Sequence, residues 1–188
     1  MHESQPERGQ QTQILIDMYT YEFADLKEYN RFIKNCKTLI RSSWEYSVWT
    51  RFVKSTKNLC QFTKESTYAL TVDIHHHPFS LENIVKIVCD KQFTTKGRTT
   101  TFDIAQEVLD LHYRNKVGYV LMIKSLHEKF HNGYLNIPIE LVSGDWRYLE
   151  ENYTIPDDIA KVVEKYKSIT LENCPRLKWD GDYIIYDE

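Results

Sequence analysis

No stretch of this chain approaches the 18 or more consecutive apolar residues that a membrane span requires, and residues 1–13, MHESQPERGQQTQ, are too polar for a secretory leader. The expectation is a soluble, non-exported, cytoplasmic protein with no membrane partner. Glycine and proline are scarce, at six and five, which disfavours repeat-rich all-β folds and low-complexity linkers. The four cysteines (Cys36, Cys60, Cys89, Cys174) are widely spread with no CxxC pair, so neither a disulfide scaffold nor a tetracysteine zinc site is expected. What remains is a chain of 188 residues, 41% hydrophobic and 27% charged, enough for one domain with an ordinary core.

The net charge of −3 conceals an asymmetry. From Lys27 to Lys64 there are nine basic and two acidic residues, a net of +7; from Glu140 to Glu188 there are six basic and twelve acidic, a net of −6. A basic front can meet a polyanion while an acidic tail keeps the chain soluble or contacts a basic protein surface. Two solvated faces of opposite sign would give the same totals.

Periodicity points to a helix-rich α+β class. Residues 1–13 read as a disordered arm and Ile14–Phe23 as a short strand. Asp25–Leu39 and Ser43–Lys57 carry apolar residues at helical spacing, the second with Trp44, Val48, Trp49, Phe52 and Val53 and a serine cap. Leu70, Val72 and Ile74 alternate as in a half-buried strand that ends at Pro78 and Ser80. Leu81–Phe93 reads as a helix, 94–101 as a loop, and Asp103 with Gln106 as a capping box for a helix through His112. Val117–Ile123 is a second strand. Ser125 with Glu128 suggests another capping box for a helix over Leu126–Asn132, closed by Gly133. Tyr134–Leu141 reads as a strand and Pro156 as the start of a helix through Ser168.

Six of the seven histidines lie between positions 75 and 131. His75, His76 and His77 end a strand. His127 and His131 are four apart on the short helix, so both imidazoles leave one face. Strand-end histidines facing an HxxxH helix can hold one divalent metal from two rigid elements with a position left open. Adjacent strand residues point to opposite sides, so one histidine of a pair can ligate while its neighbour takes a proton from water. His112, without a partner in the sequence, reads as an ordinary structural residue.

The order of a tryptophan-bearing helix (Ser43-Ser-Trp-Glu-Tyr-Ser-Val-Trp), a cysteine (Cys60-Gln-Phe-Thr), a strand ending His-His-x-Pro (Val72-Asp-Ile-His-His-His-Pro) and an HxxxH helix (Leu121-Met-Ile-Lys-Ser-Leu-His-Glu-Lys-Phe-His-Asn-Gly) resembles the HNH nucleases of the ββα-metal, or His-Me finger, fold. The compact phage and bacterial members, without zinc-binding CxxC pairs, are most similar. The resemblance implies a finger over 68–80 and 117–133, a helical insertion over 81–114, a nuclease domain over 14–170 and an acidic tail over 171–188. It implies His76 as general base and His75, His127 and His131 as ligands of one divalent ion (Mg, Mn, Ni or Zn). Asp73 and His77 are the candidates for an extra ligand or an orienting group. The register is open by one, since His76 and His77 also form an adjacent pair; Pro78, three residues after His75, favours the first choice.

The chain departs from the family pattern in three places. The first CxxC pair has decayed to Cys60 and Thr63, and the second falls on Ile123 and Leu126, so apolar packing should replace a structural zinc. The middle Asn of the HNH name falls on Gly118, with Asn115 nearby. The insertion over Leu81–Arg114 either packs as extra core, the preferred reading, or offers a DNA-facing loop through Lys96 and Arg98. The reaction implied is metal-dependent hydrolysis of DNA phosphodiester bonds, with Arg41, Arg51, Lys96, Arg98 and Arg114 as candidates for phosphate binding. The alternative is a catalytically inactive HNH scaffold that grips a protein or nucleic-acid partner and keeps its metal for stability.

Overall fold

The computed structural model describes residues 23–68 and 70–174, together with the backbone of 177–179 and 184–186. The expected arm over 1–13, the strand expected over 14–23 apart from Phe23, and the side chains of the acidic tail beyond 174 lie outside the described residues. Two helices open the described chain, α1 (Leu26–Ser42) and α2 (Trp44–Thr56). Asp25 caps α1 by accepting a hydrogen bond from the Glu28 amide at 2.8 Å. One serine divides the pair: Ser43 Oγ donates to the Ile40 carbonyl at 2.8 Å and accepts from the Tyr46 amide at 3.1 Å. It thereby closes one helix and opens the next.

Strand β1 (Val72–His76) follows, then α3 (Leu81–Lys96), α4 (Thr101–Tyr113), strand β2 (Tyr119–Ile123) and α5 (Lys124–His131). A 3-10 turn (Ile139–Leu141), α6 (Arg147–Asn152) and α7 (Asp157–Lys167) complete the helical part. Strands β3 (Leu177–Trp179) and β4 (Ile184–Tyr186) pair with each other. The class is helix-rich α+β. β1 and β2 are antiparallel, with Asp73 opposite Met122 and His75 opposite Val120.

Two apolar clusters flank this ribbon. In the larger, Ile33, Cys36 and Ile40 of α1 interlock with Ile84, Val88 and Cys89 of α3 and with Ile104, Val108 and Leu111 of α4. The segment over 81–114 therefore supplies much of the main core, as the preferred reading of the insertion expected. The smaller cluster joins Cys60, Val120, Met122, Ile123, Leu126, Leu135 and Ile137. Cys60 thus packs against Ile123 and Leu126, the positions where the zinc-binding pattern would place cysteines. All five β2 residues are buried, so the strand is apolar throughout and does not alternate.

Local chemistry departed from expectation at four points. α3 runs on through Lys96 and stops at Gly97, whose φ of +67° suits glycine, so the loop over 94–101 shrinks to 97–100. α4 is capped by Thr100, which accepts from the Asp103 amide at 3.1 Å and donates to its carboxylate at 2.7 Å; Asp103 is the third residue of the helix, not its cap. α5 follows directly from β2 with Ile123 in the cap position, without the Ser125–Glu128 box. Tyr134–Leu141 is not a strand. Its alternation (Leu135, Ile137) reflects burial in the smaller cluster, while Pro138 has no amide to give a ladder and the Ile139 amide bonds to the Ile169 carbonyl at 2.9 Å.

Candidate metal centre

Because α5 continues β2 without a loop, the register of the ribbon decides where its histidines stand. Leu126 drives the helix into the smaller cluster and leaves His127 and His131 on the outer face. On β1, Asp73 and His75 point to that same side. His75 Nδ1 lies 3.1 Å from His127 Nε2, which lies 2.9 Å from His131 Nε2. These three nitrogens all fall within 4.8 Å of one another.

His127 Nδ1 donates to Asp73 Oδ2 at 3.0 Å, which leaves its Nε2 as the lone-pair nitrogen facing the other two rings. A tetrahedral ion with bonds of about 2.0–2.1 Å holds its ligand atoms about 3.3–3.4 Å apart. The His75–His127 and His127–His131 separations lie within a few tenths of an ångström of that value. The donor set fits a divalent ion with three protein nitrogens and an open coordination position. Burial and then the neighbouring imidazoles lower the His75 pKa to about 3, and burial followed by His127 lowers that of His131. Both rings are neutral near pH 7, the form that ligates.

On the opposite side of β1, His76 enters the larger cluster. Its Nε2 lies 2.8 Å from His112 Nε2 on α4, and His112 Nδ1 donates to the Val108 carbonyl at 2.6 Å. A carbonyl only accepts, so the chain of bonds has one sense. His112 carries its proton on Nδ1, its Nε2 accepts from His76 Nε2–H, and Nδ1 is the basic nitrogen of His76. Trp49 and Tyr46 of α2 stack beside the His76 ring, and Trp49 meets His112 edge-on at 4.6 Å. Burial, then the charges His112, His75 and Arg41 would carry, holds the His76 pKa well below 6.5. His112 is lowered to about 4 by burial, against the opposing pull of the Val108 carbonyl.

The three converging histidines and His76, but not His112, line one cleft of about 500 Å³, whose walls include Arg41, Asp73, His75, His76, His127 and His131. The remaining sequence candidates fall elsewhere. His77 is buried against Tyr166 of α7, with its pKa lowered to about 4 by burial and with Nε2 unbonded. It lines a neighbouring cleft with His75 and His131 and stands away from the three converging nitrogens. Arg51 turns back onto the Ser47 carbonyl of its own helix, and Arg114 pairs with Asp110. Lys96 ends α3 and Arg98 follows it, outside the cleft wall. Of the five phosphate-binding candidates, only Arg41 reaches the cleft.

Gly118 has a steric reason. A Cβ there would collide with the His77 carbonyl oxygen and the Trp146 Cβ, so this backbone cannot accept the family's Asn at that position. Asn115 sits nearby at φ +56°, its carbonyl accepting from the Asp145 amide at 2.8 Å. His112, read from the sequence as an ordinary structural residue, is indeed buried, but its partner His76 was not foreseen. A signal was present: it stands four residues after Val108 on the buried stripe of α4 with Ile104 and Leu111, where an imidazole needs a polar partner.

Fold and site together define a helix-rich α+β protein with three converging imidazoles at the end of a two-stranded ribbon. The chain belongs to the bacteriophage G278-like virion protein family, which matches residues 5–182. Comparison with curated proteins and with solved structures gives no match.

Proposed function

We propose that this protein is a metal-dependent endonuclease of a phage particle that hydrolyses DNA phosphodiester bonds, with β1, β2 and α5 forming a ββα-metal finger. The observation that carries the reading is the convergence of His75 Nδ1, His127 Nε2 and His131 Nε2 beside a fourth histidine, His76, in one cleft. A divalent ion (Mg, Mn, Ni or Zn) held by the three rings would supply positive charge to the scissile phosphate and the leaving oxygen.

The chain's own groups do the rest. Asp73 holds the His127 ring with Nε2 toward the cleft. His76 takes a proton on Nδ1 from the water that attacks phosphorus as the bond to the 3′ oxygen breaks. His112 fixes the His76 tautomer and accepts its Nε2–H throughout, so the ring neither rotates nor presents the wrong nitrogen. Arg41 brings positive charge to the cleft wall.

The test is incubation of the purified protein with supercoiled plasmid and each of the four metals, with EDTA and His76→Ala controls. Nicking or linearisation that requires both metal and His76 is the expected result. A second reading is a catalytically inactive scaffold in the virion that binds a protein or nucleic-acid partner and keeps its metal for stability; membership of a virion protein family is compatible with it. It predicts metal-dependent melting with no cutting under any metal.

A further inference from the structure

A second groove, of about 560 Å³, lies along α1 and is lined by Asn30, Lys34, Lys37, Thr38, Arg41 and Glu82. Arg41 belongs to this groove and to the histidine cleft alike, so the two depressions share a wall. Five of the 17 residues of α1 are basic (Lys27, Arg31, Lys34, Lys37, Arg41), against one acidic residue, Glu28, which pairs with Arg31 at 3.6 Å. Positions 34, 37, 38 and 41 follow the three-and-four spacing of one helix face.

Glu82, the one carboxylate in the groove, is held by two lysines, Lys37 at 2.5 Å and Lys86 at 3.0 Å, so this cluster is itself net positive. Among the described residues neither Lys34 nor Arg41 has an ion-pair partner, and both are exposed. From 34 to 41 the helix rises about 10 Å, at 1.5 Å per residue. That is about three phosphate-to-phosphate steps of one strand, at about 3.4 Å of axial rise each.

We infer that this face of α1 is a track for a polynucleotide backbone, with Lys34, Lys37 and Thr38 holding phosphates that flank the one at the histidine cleft. The inference rests on the proposed nuclease reading, and adds the face of the molecule along which the polynucleotide leaves the cleft. A regular array of cations leading into the cleft suits an evenly spaced polyanion, whereas a small phosphodiester needs the cleft alone. Binding through such contacts is salt-dependent and carries no sequence preference.

The experiment measures binding of a fluorescein-labelled 20-mer duplex, and its single strand, by anisotropy in EDTA over a salt series. Wild type, Lys34→Gln, Lys34→Glu and the charge-matched control Lys161→Gln on α7 are compared. Position 34 is an exposed helical site and Gln is a good helix former, so the fold should tolerate the change. In parallel, hydrolysis of bis(4-nitrophenyl) phosphate with metal reads the cleft without the groove. The expected result is a log–log salt slope shallower by about one unit in Lys34→Gln, weaker binding still in Lys34→Glu, and no change in Lys161→Gln or in small-diester hydrolysis.

Unchanged affinity and slope in Lys34→Gln, with the small diester hydrolysed, would overturn the track and leave the nuclease reading standing. DNA binding governed by Lys34 in a protein that hydrolyses neither diester would do the reverse. Competition by polyglutamate as effective as that by DNA of equal charge would overturn the polynucleotide assignment in favour of an acidic protein surface.

Discussion

The two sides of β1 hold residues of one kind in opposite circumstances. On one side His75 meets His127 and His131 in a half-open cleft, with Asp73 holding His127 from behind. On the other, one residue along, His76 sits 8% exposed between Trp49, Tyr46 and His112. Ring nitrogens converge on the first side, the donor set that a cation takes. On the second, donors and acceptors line up in a single sense that ends on a main-chain carbonyl. The period of two in a strand is enough to send adjacent identical side chains into these two surroundings, and the proposed function assigns a ligand to one and a proton acceptor to the other. The third histidine of the run, His77, turns toward α7 and joins neither.

Exchanging the two sides by mutation gives the largest expected effects. His76→Ala should lower plasmid cleavage by about 10²- to 10⁴-fold while calorimetry still shows one metal bound per chain. His127→Ala should lose the metal along with the activity. If His76→Ala abolished metal binding, the two sides would not be separable in the way the geometry implies. Next in size is Asp73→Asn, which keeps the shape behind His127 but weakens its hydrogen bond. Metal affinity should fall about 10- to 100-fold, read by competition with a chromogenic chelator, with the melting temperature of the metal-free protein nearly unchanged.

The dry side is tested by stability. His112→Phe leaves the His76 Nε2–H buried without a partner, at a cost of about 1–3 kcal/mol in urea unfolding. His112→Asn, whose side-chain oxygen can accept, should recover part of that loss. A further effect is graded and concerns acid. His112 and His77 titrate near 4 in the folded protein and near the ordinary 6.5 when unfolded, so the unfolded chain binds protons first. Stability is then full above pH 6.5 and is lost as pH falls from 6.5 toward 4, by up to about 1.4 kcal/mol per pH unit for each group. Urea titrations of the metal-free protein at pH 7.5, 6, 5 and 4 check the slope, and His112→Phe should flatten it.

Much of this contrast was legible in the sequence. The three-and-four spacing of α1 and α2, a serine cap between them, the strand through Val72 and Ile74 and the HxxxH spacing are local patterns with local causes and fell where expected, although Leu70 lies before the strand and Ser43, not Ser42, is the cap. The cap of α5 was misjudged because a helix that continues a strand takes its start from the strand and needs no capping side chain. The strand over Tyr134–Leu141 was misjudged because alternation records burial, which an irregular segment can share. Arg51, Lys96, Arg98 and Arg114 could not be ranked against Arg41, since their positions depend on how α2, α3 and α4 pack.

By itself the sequence determined the class, the two histidine-bearing elements and the fact that neighbouring histidines must face apart, because these follow from residue periods along a single segment. Tertiary structure alone decided which groups meet. The ribbon register set Asp73 behind His127, the packing of α4 against β1 set His112 under His76, and the close approach of His77 and Trp146 left room for nothing but glycine at 118. Those pairings span 36 to 54 residues of chain in the two hydrogen-bonded cases, a separation at which no local pattern constrains a neighbour.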